Sequence, residues 1–522
     1  MLNIIPVPLK AEEKEGFAPF GGKLKIYGEF SDTVKFAEKI LINAKGGEGC
    51  ELVFEKNTDA TEEGYFLKVE EKTIKVKASS EKGAFYALMT LLQLAGNAGR
   101  VPCCEIGDKP RFAYRGFMLD SARHFWSIDT VKRYIDLMAR LKMNEFHFHL
   151  TDDQGWRVEI KKYPLLTEKG SIRKNTQLSL YGYNSGKEAH DDVEYGRGCF
   201  YTQEQLKDIV AYAAERHIEV IPEIDMPGHM VAAIACYPEL SCTGEPAEVS
   251  TRWGVMDNIC CCGKEDVYRF AKDVIDELCE IFPGRFFHIG GDEVPKKRWK
   301  TCPNCQEKIK KEGLKDENAL QGYFNSEIAN YLKSKGKRMS GWNEILDAQD
   351  IMDTEIVAQW WVNHSAGNAQ EKKWIKRGGK IIMSPVSYVY MDHPYHLRPL
   401  KKTYATDTEL LGADFEKGVL GMEIPQWTEY IRCEKKLDML TVPRLITFSE
   451  VCWSDRANKD YGEFEKRLEN SREYFASLNC PICPKYLYTG KVRPWYAFTD
   501  GLKWALWYKN VNYEWELMKD RL

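Results

Sequence analysis

Asp292 and Glu293 are adjacent acids at the end of a short apolar run, in the string FHIGGDE. Carboxylic acids held together can pass protons to and from a leaving oxygen or a water. Seven other apolar runs also end in groups capable of chemistry. They carry Asp120, Arg123 and His124; then Asp152, Asp153 and Trp156; then Glu223, Asp225 and His229. Further on come Trp342 and Glu344; Gln359 and Trp360; Tyr390 and Asp392; and Gln426, Trp427 and Glu429. Acids for proton transfer, beside flat rings that fit pyranose faces, suit glycoside hydrolysis. No glycine-rich phosphate loop follows any of these runs.

Those residues need a frame that brings eight chain segments to one place. From residue 112 onward the pattern is strand, then helix, repeated. Strands are expected at 112–119, 145–150, 219–224, 286–290, 338–341, 355–359, 380–384 and 418–423. Between them Ser127 is a good N-cap for a helix reaching Lys142, and Thr202-x-x-Gln205 is a capping-box pattern. Eight strands alternating with helices predict an α/β fold, a (β/α)8 TIM barrel over residues 109–455. Barrel enzymes keep their sites at the C-terminal ends of the strands, where the candidate residues fall. Residues 1–108 read as a small N-terminal α/β domain. It has alternating strands at 63–70 and 73–78 and a helix at 81–95. Residues 456–522 form a C-terminal helical, aromatic-rich tail, opening with a charged helix over 461–478.

The adjacency of Asp292 and Glu293 has a mechanistic implication. If both lie on a strand they point to opposite sides. They would then not flank one bond as nucleophile and acid, which ordinary retaining glycosidases require at about 5 Å. The reading is that Glu293 alone donates the proton, while Asp292 orients a nucleophile belonging to the substrate.

The strings YRGFMLDSARHF, NEFHFHLTDDQGWRVEIKKYP, YTQEQLKDIVAYAAERHIEVIPEIDMPGH, FHIGGDE, GWNEI and QWTE resemble the family 20 glycoside hydrolases. That resemblance spans about residues 4–455. It implies a β-N-acetylhexosaminidase in which the substrate's 2-acetamido oxygen attacks C1, giving an oxazolinium intermediate and net retention. It also implies roles. Glu293 is general acid and then base, Asp292 holds the acetamido N–H, and Tyr390 hydrogen-bonds the acetamido oxygen. Trp342, Trp360 and Trp427 wall the N-acetyl pocket. Arg123, Glu429 and Asp392 hold sugar hydroxyls, while Asp152 and His229 tune Glu293. The loop at 393–417 has no Trp, although family members often carry one there. The expected substrate is a glycan or glycoconjugate ending in β-linked N-acetylglucosamine or N-acetylgalactosamine. The alternatives are a member that releases a disaccharide or a sulfated hexosamine, and a non-catalytic sugar-binding protein.

Composition narrows the partners. With 74 basic and 78 acidic residues the net charge is -4, which gives no support to a nucleic-acid partner. No stretch is long and apolar enough to span a bilayer. The start, MLNIIPVPLKAEEKEG, has no secretory pattern, so a cytoplasmic chain with free thiols is expected. No cofactor is expected. Among 16 cysteines, Cys302-x-x-Cys305 and Cys480-x-x-Cys483 have zinc-knuckle spacing and could meet through folding. Free thiols are the leading expectation there, and the Cys260–Cys262 run reads as packing. Tyr486, Tyr488, Trp495, Tyr496, Phe498, Trp504, Trp507, Tyr508, Tyr513 and Trp515 crowd the tail. The tail is expected to pack on its own barrel, with a homodimer contact as the alternative.

Overall fold

The alternating segments Tyr65–Glu70 and Thr73–Ala78 pair at the middle of an open six-stranded sheet. The computed structural model describes residues 2–44, 46–176, 198–362, 366–431 and 433–489. The strands of this sheet are β1 (Lys10–Pro19), β2 (Lys25–Gly28), β3 (Glu51–Lys56), β4 (Tyr65–Glu70), β5 (Thr73–Ala78) and β6 (Arg100–Asp108). Their spatial order is β1-β6-β4-β5-β3-β2. In β4 every second residue is buried, as half-buried strands require. Helix Glu81–Ala95 is almost wholly buried; Ser80 caps its start by accepting from the Gly83 N–H.

The second unit is the barrel. Its strands are β7 (Tyr114–Asp120), β8 (Glu145–Asp152), β10 (Glu219–Ile224), β11 (Phe286–His288), β12 (Arg338–Trp342), β13 (Val357–Trp360), β14 (Lys380–Met383) and β15 (Val419–Gln426). A two-residue strand β9 (Gly155–Trp156) turns back antiparallel on β8. The eight barrel strands are all parallel, and β15 closes the ring by pairing with β7, from Gly421 opposite Tyr114 to Gln426 opposite Leu119. The expected TIM barrel and small sheet domain are therefore present. Helix Ile128–Arg140 starts at Ser127, and both halves of the Thr202–Gln205 capping box are made. A layer of Tyr114, Ile221, Phe286, Val357 and Ile382 packs inside the barrel as a separate apolar cluster.

Buried polar groups lock the two units together. Arg115 of β7 meets Glu63 at 2.9 Å and the Tyr86 hydroxyl at 3.0 Å. Lys142, fully buried, donates to Asp108 Oδ2 at 3.0 Å and to the Tyr65 hydroxyl at 2.9 Å. Trp453, at the end of helix Glu434–Trp453, donates to the same Asp108 oxygen at 2.9 Å.

The expected charged helix over 461–478 is two helices, Tyr461–Asn470 and Arg472–Ser477, broken at Ser471. Of the aromatic tail, Tyr488 is buried and Tyr486 exposed. The remaining tail aromatics lie outside the described residues, and with them the homodimer expectation. No helix among the described residues is long and apolar enough to cross a membrane.

Candidate active site

The loop after β11 departs from the extended geometry that the sequence suggested. The strand stops at His288, and Gly290, Gly291 and Glu293 all have positive φ, of 66°, 88° and 48°. Strand alternation therefore does not govern Asp292 and Glu293. The left-handed turns bring both acids to one histidine. His229 Nε2 lies 3.9 Å from Asp292 Oδ2 and 3.6 Å from Glu293 Oε2. One oxygen from each acid and that nitrogen all lie within 4.8 Å of one another. The expectation that the pair points to opposite sides is corrected accordingly. Gly290 is required here: a methyl group on it would lie 1.8 Å from Asp225 Oδ1.

The two acids differ in surroundings. The Asp292 side chain is 11% exposed and the Glu293 side chain 28%. Burial, with Glu344, Glu293 and Glu223 nearby, pushes Asp292 up to about 8, against the pull of His229. Asp292 Oδ1 is buried and has no hydrogen-bond partner.

His229 is held from the other side. Its Nδ1 lies 3.2 Å from Asp152 Oδ1 and 3.3 Å from Asp153 Oδ2. Burial alone would lower its pKa, but Asp152 and Asp225 hold it well above the usual imidazole range. Asp152 also receives the Arg123 guanidinium at 2.6 Å and His149 Nε2 at 3.1 Å. Burial opposes ionisation of Asp152, and Arg123 and His229 overcome it.

Arg123 follows β7. Its Nε–H donates to Gln154 Oε1 at 3.0 Å, and its guanidinium stacks over Trp427 at 4.8 Å. Glu429, half-buried two residues past Trp427, is pushed up to about 7 by desolvation, against Arg123. Asp392 is close enough to act on both Glu429 and Tyr390.

The aromatic residues form a continuous run. Ring centroids of Trp342 and Trp427 are 5.7 Å apart, and those of Trp427 and Tyr390 6.3 Å. Tyr390 in turn stacks on Trp361 at 5.9 Å and 19°. Trp360, named from the sequence, ends β13 and is buried with its indole N–H unpartnered. Its neighbour Trp361, not singled out from the sequence, is the one stacked on Tyr390; its Nε1–H donates to Glu344 at 2.8 Å.

Beneath these groups Glu223, named above only as a strand-end acid, joins a polar network with His147, His149, His288 and Glu423, which were not singled out from the sequence. Glu223 accepts from Trp342 Nε1 at 2.9 Å and lies 2.9–3.0 Å from His288 and His147; His149 also bonds to it. His147 continues to Glu423 at 2.8 Å, and Glu423 accepts from Tyr114 and Gln359. Burial would depress His147, but Glu423 and Glu223 hold it at about 9. The signal was the alternation His147, His149 inside an otherwise apolar strand. Polar residues at period two on a barrel strand face the interior.

The alternative in which the two C-x-x-C pairs meet is corrected. Cys302 and Cys305 meet Cys242 and Cys261, not Cys480 and Cys483. Cys480 lies by Arg133, and Cys483 close to Tyr395. Cys261, read as packing, is a member of the group because its loop returns to the turn before helix Pro303–Lys311. Three further groups have ligand-like spacing: His147, Glu223 and His288; Asp152, Asp225 and His229; and His229 with Asp292 and Glu293. The first belongs to the network beneath the site and the other two to the acid–base groups around His229.

Acid–base groups, one arginine and an aromatic run at the C-terminal mouth of a TIM barrel define a barrel enzyme built for sugars. The pattern of the glycosyl hydrolase family 20 catalytic domain matches residues 112–456, and that of domain 2 of the same family matches residues 1–109. The chain belongs to this family and is a glycoside hydrolase. A β-hexosaminidase of Porphyromonas gingivalis is 37% identical, over 96% of this chain and 67% of that protein. One from Vibrio furnissii is 36% identical, over 76% of this chain and 66% of that protein. This chain thus spans about two thirds of those relatives. Among solved structures, a β-N-acetylhexosaminidase of Bacteroides fragilis superposes with a TM-score of 0.80 at 31% identity, over 92% of this chain and 97% of that one. An exo β-N-acetylglucosaminidase of Vibrio harveyi, solved with N-acetylglucosamine, also gives 0.80 at 31%, over 92% and 78%.

Proposed function

We propose that the chain removes terminal non-reducing β-linked N-acetylglucosamine or N-acetylgalactosamine, with retention, through an oxazolinium intermediate. The observation that carries this reading is the Asp292 carboxyl: buried, with one oxygen unpartnered, surrounded by other acids and close to Tyr390. Such a site disfavours its own anion until a cation arrives. An acetamido group becoming oxazolinium supplies that cation beside the carboxyl.

In the first step the acetamido oxygen bonds to C1 while the C1–aglycone bond breaks, and Glu293 gives its proton to the departing oxygen. In the second, Glu293 takes a proton from water as the water oxygen bonds to C1 and the oxazolinium ring opens. Glu293 suits this exchange because it is the more exposed of the two acids. His229 and Asp152 orient it, Arg123 grips hydroxyls from a guanidinium fixed on three sides, and Glu429 and Asp392 add acceptors for one terminal ring. Support also comes from the Vibrio harveyi enzyme, whose structure holds N-acetylglucosamine.

The approach of Asp292 to Glu293, within 4.8 Å, would also suit a direct carboxylate nucleophile. Its position against that reading is electrostatic. A carboxyl whose anion is disfavoured by burial among Glu344, Glu293 and Glu223 is a poor nucleophile. The experiment compares an aryl β-N-acetylglucosaminide with the matching β-glucoside and adds a thiazoline analogue of N-acetylglucosamine. The expected result is strong inhibition by the thiazoline and negligible turnover of the glucoside. Comparable turnover of both substrates would overturn the mechanism.

A further inference from the structure

Four thiols from separate stretches of chain converge beside the loop that carries Glu293. Cys242 follows the short helix Pro238–Leu240, and Cys261 precedes helix Glu265–Ile281. Cys302 and Cys305 sit at the start of helix Pro303–Lys311. Cys261 Sγ is 3.6 Å from Cys302 Sγ and 3.5 Å from Cys305 Sγ, and Cys242 Sγ is 3.9 Å from Cys305 Sγ. All four sulfurs lie within 4.8 Å of one another; three of the residues are buried and Cys242 is half-buried.

We propose that Cys242, Cys261, Cys302 and Cys305 bind one structural zinc ion. A tetrahedron with Zn–S bonds of about 2.3 Å has sulfur–sulfur edges of about 3.8 Å, and the three distances above fall on both sides of that value. A disulfide needs sulfurs about 2.05 Å apart and joins cysteines only in twos. An iron–sulfur cluster spreads its thiolates further, because several metal and sulfide atoms stand between them. Four thiolates from a C-x2-C pair and two separate loops are a zinc donor set, and with no position open to water the site is structural.

The chain around the thiols is shaped to bring them together. A methyl on Gly263 would lie 2.2 Å from the Asn304 carbonyl carbon and 2.4 Å from the Cys305 nitrogen, so the two segments can touch only at glycine. The Gly263 N–H is directed at Cys261 Sγ, an outer donor toward a ligand sulfur. Lys264 donates to the carbonyls of Glu239 and Ser241 at 2.8 and 2.6 Å, placing a cation on the turn that leads to Cys242. The same knot reaches the reaction site. The Cys260 N–H donates to Pro227 O at 2.9 Å, two residues before His229. Trp299 Nε1–H donates to Cys260 O at 2.9 Å, six residues after Glu293. Zinc would thus staple the segments that present His229 and Glu293.

The test is metal analysis of the full chain, purified under reducing conditions and dialysed without chelator. The expected content is one zinc per chain. Cobalt exchanged into the site should show the thiolate charge-transfer and visible bands of tetrahedral S4 coordination. Cys302→Ser with Cys305→Ser should lose the metal and lower Tm, whereas Cys480→Ser with Cys483→Ser should retain the metal. If the first variant fails to fold, metal content and the cobalt spectrum of the unaltered chain still decide. Absence of zinc after reconstitution, iron in its place, or a mass showing these cysteines as disulfides would each overturn the proposal. None of these readouts depends on glycosidase activity, so an inactive chain that holds zinc leaves the proposal standing.

Discussion

Glu293 and Asp292 share one histidine yet carry different expectations. Glu293→Gln removes the proton donor, so activity should fall by about 10²–10⁴-fold on a substrate with a poor leaving group. An activated aryl glycoside should lose far less, and equal losses on both would count against the role given to Glu293. Asp292→Asn separates activity from stability. The Asp292 pKa is raised from 3.8 to about 8 in the folded chain, so the folded state binds the extra proton between those values. Its contribution to stability is fully present below about pH 4 and lost as pH rises to about 8. Asn has no such loss. The Tm of Asp292→Asn relative to the unaltered chain should therefore climb from pH 4 to pH 8 and then level off, while activity falls. A Tm difference flat with pH would refute the buried, unpaired account of this carboxyl. The strand-end acids and tryptophans could be read from the sequence because an apolar run followed by a polar cluster is a local signal. The meeting of Cys242 with Cys305 could not, because it depends on where two loops of the barrel cross.

At the scale of elements, the eight strands and the helices opening after Ser127 and Thr202 were legible from periodicity and caps. Ser127 and Thr202 mark true helix starts because each side chain accepts from a backbone N–H three residues on. The loop after β11 was misread because apolar Ile289 prolongs the strand pattern past His288, while the following glycines turn left-handed. Gly290→Ala tests that turn. The added methyl meets Asp225 Oδ1, which also accepts from the Gly291 N–H at 3.2 Å, and φ of 66° is strained for alanine. Activity should drop at least tenfold with the far-UV circular dichroism unchanged. An active Gly290→Ala chain would mean that the loop can take another shape without cost to the site. The interior network of His147, His149 and Glu223 was visible as alternating polarity, but its partners come from β10 and β15 and no single strand reveals them.

At the scale of the whole chain, Asp108 is the hub between the small sheet and the barrel. Beside Lys142, Tyr65 and Trp453, its other oxygen accepts from the Leu9 N–H at 3.0 Å. Asp108→Ala would leave Lys142 buried without its counter-charge. Burial already lowers the Lys142 pKa, with Asp108 opposing that fall. Removing one partner of a buried pair costs about 3–5 kcal/mol, so chemical denaturation should show a loss of that size, and a loss below 1 kcal/mol would argue that water reaches the ammonium. The sugar site lies at the opposite end of the strands, so kinetic constants on folded Asp108→Ala chains should change little.

The ring closure of β15 on β7 puts the pocket on a seam. Arg123 follows the first barrel strand and stacks on Trp427, which follows the last. Asp120 clasps Thr428 across 308 residues of chain, through the Thr428 N–H and hydroxyl, both at 3.1 Å. Contacts so distant along the chain close late when it folds, because loop entropy must be overcome before they form. During synthesis the pocket has no second half until the eighth strand has left the ribosome. Opening the same seam would pull the guanidinium away from its indole. A protease that catches the barrel ajar would thus meet a protein already inactive.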